Sequence, residues 1–116
     1  MPTEQQSLFT LVSPAYTKGA TIQEKFEAYH AANPWVYRYL VHLANEYVDA
    51  QRSRGREPKI GIALLVERLR WEYNIRTVSD DGFKISNDFR SRYARLMMDR
   101  EPRLAGLFAI KELRTK

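Results

Sequence analysis

The sequence predicts a mainly α protein: a compact domain of four to five helices with a small, winged-helix-like β element, preceded by a flexible N-terminal arm. Three observations lead there. Apolar residues recur at steps of three and four in four separate stretches, the period of a helix with about 3.6 residues per turn. Helix-start signals stand just before those stretches, at Thr21, Asn33, Gly61 and Ser86. The 116 residues are 44% hydrophobic and 12% aromatic, enough for one core, and with no cysteine that core must hold without disulfides.

Residues 1–20 have no helical period and contain two prolines, so they form the arm, and residues 21–116 form a single domain. Within the arm, SLFTLV at residues 7–12 is apolar. Three outcomes stay open for it: a strand added to this domain, a contact with another protein, or cover for a hydrophobic patch, of which cover is the commonest. Thr21 and Glu24 have the spacing of a capping box, in which each side chain bonds the other residue's backbone N–H. The first helix then runs to about Ala32, burying Ile22, Phe26 and Tyr29 and leaving His30 at the edge. Asn33 and Pro34 close it and open the next, Asn as cap and Pro at the first helical position. That second helix extends to about Gln51. Val36, Leu40, Leu43, Ala44 and Tyr47 face inward, and Tyr37, Val41 and Val48 widen the stripe as a central helix requires.

A third helix is expected from Ile62 to about Tyr73. It has two apolar stripes, Ile62, Leu65, Val66, Leu69 and Tyr73 on one side and Leu64 with Trp71 nearly opposite. Covering of the second stripe by the arm or the C-terminal segment is the simpler expectation. A partner site centred on Trp71 is the sharper one, with Leu64 and Trp35 as further anchors, because tryptophan is enriched at binding hot spots. Residues 74–82 connect to the last helix through a turn at Ser79-Asp-Asp-Gly82. The last helix starts at Ser86 or Asn87 and ends before Pro102, with Phe89, Tyr93, Leu96 and Met97 inward and Ser91, Arg92 and Arg95 largely outward. Short extended pieces at residues 59–62, 83–85 and 108–110 have the makings of a small sheet.

The net charge of +5 is unevenly divided. Residues 1–50 hold three cations against five acids, a net −2, whereas residues 51–116 hold 16 against nine, a net +7. Twelve of those 16 are arginines, the side chain suited to phosphate and carboxylate forks. Two clusters stand out. The loop after the second helix carries Arg52, Arg54, Arg56 and Lys59; the last helix carries Arg90, Arg92 and Arg95 near its N-terminus, with Lys84 and Asn87 beside its start. A helix N-terminus with arginines attracts phosphate, so nucleic acid, DNA before RNA, or an acidic protein surface is the expected partner. The plain alternative is a solvated face, since Asp88 to Arg92 and Arg95 to Asp99 are ordinary four-residue pairs worth about 0.2–0.5 kcal/mol.

No catalytic pattern is present. Nucleophilic catalysis needs a nucleophile, a base and an orienting group, and the chain offers only His30 and His42 on different helices. Their spacing matches no zinc pattern, Asp80 and Asp81 alone make no calcium loop, and no glycine-rich phosphate loop occurs. No cofactor, metal or enzymatic activity is therefore expected. No apolar run approaches the roughly 20 residues of a membrane helix, and no signal-peptide pattern opens the chain. A soluble, cytoplasmic protein is expected.

Two helices, Ile62 to Tyr73 and Asn87 to Arg100, follow a longer one, and with the last arginine-bearing this order resembles a helix-turn-helix or winged-helix arrangement, although those motifs join the helices by about three or four residues and residues 74–86 intervene here. RLRWE, FKISNDFRSRYARLMM and PRLAGLF together look like small proteins encoded by bacteriophages and prophages, a resemblance covering roughly residues 21–114. It implies a mobile-element context and carries no transferable activity. The functional expectation is a non-enzymatic nucleic-acid-binding regulator. The alternative is an interaction module that binds and modulates a host or defence protein, and self-association into a homodimer is compatible with either.

Overall fold

The computed structural model describes residues 10–77 and 82–109. Among them the fold is mainly helical: α1 (Ile22–Ala32), α2 (Pro34–Ser53), α3 (Ile62–Arg76), α4 (Asn87–Arg100) and a 3₁₀ turn at Pro102–Leu104. The Ser79–Gly82 turn, apart from Gly82, lies outside the described residues, as do Ser7, Leu8, Phe9 and residues 110–116.

Each helix starts where its local chemistry dictates. Thr21 Oγ1 accepts from Glu24 N at 3.1 Å while Glu24 Oε1 accepts from Thr21 N at 2.9 Å, so two first-turn donors of α1 are satisfied reciprocally. At α4 the cap is Ser86, whose Oγ accepts from Phe89 N at 3.2 Å. α3 starts after Gly61 with no side-chain cap and no acidic residue in its first turn, so its N-terminal N–H groups keep their positive potential.

α2 is the axis of the core. Val36, Leu40, Ala44 and Val48, spaced by four, are all wholly buried. α1, α3, α4 and the 3₁₀ turn pack around it, with α4 also against α1 and α3. Tyr73, Tyr93, Leu69, Val66, Met97, Ile85 and Leu104 are fully buried around it. Among the described residues no helix is long and apolar enough to cross a membrane.

Two expectations are corrected. The sheet reduces, among the described residues, to one parallel bridge between Ile60 and Phe108, with Ile60 N donating to Leu107 O at 3.2 Å. Phe83 and Ile85 bury their side chains in the core and form no ladder, because packing two large apolar groups outweighs pairing three residues. Asn33 does not cap α2 with its side chain. Its buried amide accepts from Val12 N at 2.7 Å through Oδ1 and donates through Nδ2 to Val12 O at 2.8 Å and Tyr29 O at 3.1 Å. The amide thus treats Val12 as a neighbouring strand would, and all three of its hydrogen bonds keep a fully buried polar group satisfied. Trp35 Nε1 adds a bond to Thr10 O at 3.0 Å, so residues 10–12 lie against the domain.

Candidate nucleic-acid interface

The arginines of α4 do not share one face. Arg92, expected toward solvent, is 6% exposed. It sits about 100° from Tyr93 on the helix wheel, and α1 packs on that flank, so Nε donates to Gln23 Oε1 at 2.9 Å and Nη1 to Asp88 O at 3.3 Å. Arg92 is a packing residue joining α1 to α4. Arg90 is half-buried: Nε donates to Ile85 O at 3.0 Å, and the guanidinium stands 3.7 Å from Glu67 of α3. Arg95 lies at the boundary of two hollows, one of about 500 Å³ beside Gln23 and Arg92 and one of about 400 Å³ beside Arg90.

The second hollow has the more suggestive make-up. Gly61, Ile62 and Ala63 from the start of α3 meet Asn87 and Ser91 from the start of α4, with Arg90 and Arg95 on the wall. Two helix starts therefore converge on one groove, that of α3 with uncompensated partial positive charge and that of α4 with Ser86 as cap and Asp88 in its first turn, and both arginines belong to it. Lys84 and Asn87 are both exposed.

The basic loop runs directly into that groove through Ile60 and Gly61. Lys59 Nζ donates to Gly106 O at 3.1 Å and Arg54 Nη1 to Ala50 O at 3.1 Å, while Tyr47 OH donates to Lys59 O at 2.7 Å and pins the loop's end. Arg52 and Arg56 are exposed on either side of Gly55, whose φ of 70° turns the chain out of α2. The hollow gathers Asn87, Arg90 and Arg95, while Lys84 is exposed three residues before α4, Lys59 adjoins through the chain and Arg92 is buried.

The tryptophans part in the same way. Trp35 is 8% exposed, stacked on Tyr73 with ring centres 6.4 Å apart, so it is a core residue and offers no partner contact. Trp71 and Leu64 are exposed on the outer side of α3, where no described residue covers them, and Ile75 joins them. Ile75 escapes a reading that ends the helix at Tyr73; the last turn continues because Arg76 Nε donates to Glu72 Oε1 at 2.8 Å. Glu72 was also missed. It is buried, and the Arg76 hydrogen bond, with help from Tyr39 and Arg68, holds its carboxyl below the usual range against the cost of desolvation. The signal was its position within the core stripe, one residue before Tyr73.

His30 stacks on Phe26 at 6.0 Å, and burial together with the nearby Arg100 lowers its pKa, so it is neutral at neutral pH. His42 is exposed on α2, 3.7 Å from Glu46. Among the described residues no group of three or more His, Asp or Glu is placed to hold a metal ion. No family model, curated protein or solved structure matches the chain.

Proposed function

We propose that this protein binds nucleic acid, with duplex DNA as the favoured form, through the groove between the starts of α3 and α4. The observation that supports it is the convergence of two helix N-terminal turns and of Arg90 and Arg95 on that groove, in the half of the chain that carries a net +7. Backbone N–H groups at helix starts and guanidinium forks are complementary to phosphate oxygens. Arg52, Arg54, Arg56, Lys59 and Lys84 extend the positive surface along the approach, contributing affinity more than sequence selectivity. A winged-helix-like docking draws on the Ile60–Phe108 bridge alone, and the phage or prophage context rests on the sequence resemblance, which carries no activity. A cysteine-free chain is suited to the reducing cytoplasm.

The test is fluorescence anisotropy with a labelled duplex across a salt series. Binding should weaken linearly in log–log form with a slope of about −0.9 per phosphate neutralised. Replacing both Arg90 and Arg95 by Ala should shallow that slope and weaken binding at every salt concentration. No binding to any duplex at low salt would remove the reading.

The second reading, a module acting on a host or defence protein, draws on the exposed Leu64 and Trp71 and no longer on Trp35. Loss of a stoichiometric protein complex in Trp71→Ala, with folding unchanged, would favour it.

A further inference from the structure

An acid of α3 faces an arginine of the groove. Arg90 is anchored at one edge, where Nε donates to Ile85 O at 3.0 Å and so holds the guanidinium against the segment leading into α4. At the other edge Nη2 stands 3.7 Å from Glu67 Oε2. That separation suits an ion pair but exceeds the roughly 2.7–3.2 Å of an N–H···O hydrogen bond. The carboxylate therefore cancels the charge of Arg90 without engaging its Nη donors.

Glu67 is itself shared. Its other oxygen, Oε1, lies 3.6 Å from Arg70 Nη1, three residues further along α3. An anion that takes the Nη edge of Arg90 thus leaves Glu67 with a cation still beside it. The Glu67 side chain is 51% exposed and that of Arg90 24%, so water reaches the carboxylate and can solvate it once displaced. A phosphate group is equipped to make the exchange. Its oxygens accept short, charge-assisted hydrogen bonds from a guanidinium edge, and the same hollow offers it Arg95 and the uncapped first turn of α3 as well.

We infer that Glu67 is a built-in competitor at the phosphate groove: it occupies the Nη edge of Arg90 until a phosphate group displaces it, and so lowers the groove's affinity for phosphate. The inference deepens the nucleic-acid reading and rests on it for the natural source of that phosphate. Glu67 acts through Arg90, which makes it a positioning residue. A groove restrained in this way disfavours anions that meet Arg90 alone and reserves its affinity for ligands that engage Arg90, Arg95 and the start of α3 together.

The test uses the full chain and two probes. Inorganic phosphate is followed through the Nε–Hε NMR resonances of Arg90 and Arg95, and a labelled duplex through its anisotropy. Glu67→Gln keeps the shape of the side chain and removes its charge. It should lower the phosphate concentration at half-response about three- to five-fold, the worth of one partly exposed ion pair, and tighten duplex binding by a similar factor. Glu46→Gln removes the same charge from α2, at a carboxylate that is 62% exposed beside His42, and should change neither measurement. In an Arg90→Gln background, read at Arg95, Glu67→Gln should bring no gain. A Glu67→Gln chain that binds phosphate like its parent, an equal gain from Glu46→Gln, or a gain that survives Arg90→Gln would each overturn the inference. So would phosphate that moves neither resonance in any of these chains. If phosphate responds as expected while no duplex binds, the competitor stands and the nucleic-acid reading alone falls.

Discussion

α3 and α4 are neighbours of similar length that invert each other's expected surface chemistry. α4 buries a guanidinium, Arg92, and half-buries another, Arg90, while α3 exposes Leu64, Trp71 and Ile75. The difference lies in the neighbours. α4 packs against α1, α2, α3 and the 3₁₀ turn, so a long side chain at the margin is enclosed. α3 packs mainly against α2 and α4 and leaves one side open. Whether a residue is buried depends on how many elements surround its helix, and local periodicity reports only the direction of the nearest one.

The sharpest way to break this comparison uses one residue type twice on α3. Leu69→Ala, on the wholly buried side, should cost about 2–5 kcal/mol in chemical denaturation, and Leu64→Ala should stay within about 0.5 kcal/mol. Equal costs would mean that α3 is covered on both sides. Next comes Arg92→Ala, expected to cost about 1–3 kcal/mol by removing the buried side chain that packs α1 against α4 and its bond to Gln23 Oε1. An exposed arginine would cost almost nothing, so a neutral result would return Arg92 to the candidate interface. The smallest effect is one of pH. The folded-state pKa of His30 lies below its ordinary 6.5, so the unfolded chain binds the proton more readily. Stability from this site is full above about pH 6.5 and declines as pH falls from there toward the lowered folded value. His30→Phe, which keeps the stacking on Phe26, should flatten that part of the stability profile. A profile unchanged by the substitution would place the titration elsewhere.

Much of the helical frame was legible because its signals are local. Thr21 with Glu24, Pro34, Gly61 and Ser86 each mark a boundary through a bond or a missing donor within four residues, and the helices begin where those residues stand. What was not legible depends on contacts distant in sequence. Arg92 is enclosed by Gln23, 69 residues away, and Asn33 is diverted from capping by Val12, 21 residues away. The two stripes of α3 were visible in the spacing of Leu64 and Trp71, and the third member, Ile75, was hidden because Asn74 reads as a stop while the Glu72–Arg76 pair carries the helix one turn further. The convergence of the two helix starts on one groove has no counterpart in any local pattern, since residues 62–63 and 87–91 meet only through tertiary packing.

The Asn33 clamp moves the true boundary of the cooperative unit. A cut beyond Val12 removes the donor to the wholly buried Asn33 Oδ1 and leaves Nδ2 with its bond to Tyr29 O. The domain therefore begins, thermodynamically, some ten residues ahead of its first helix, and the Val12 amide should exchange its hydrogen on the timescale of the core, with no strand or helix around it to advertise why.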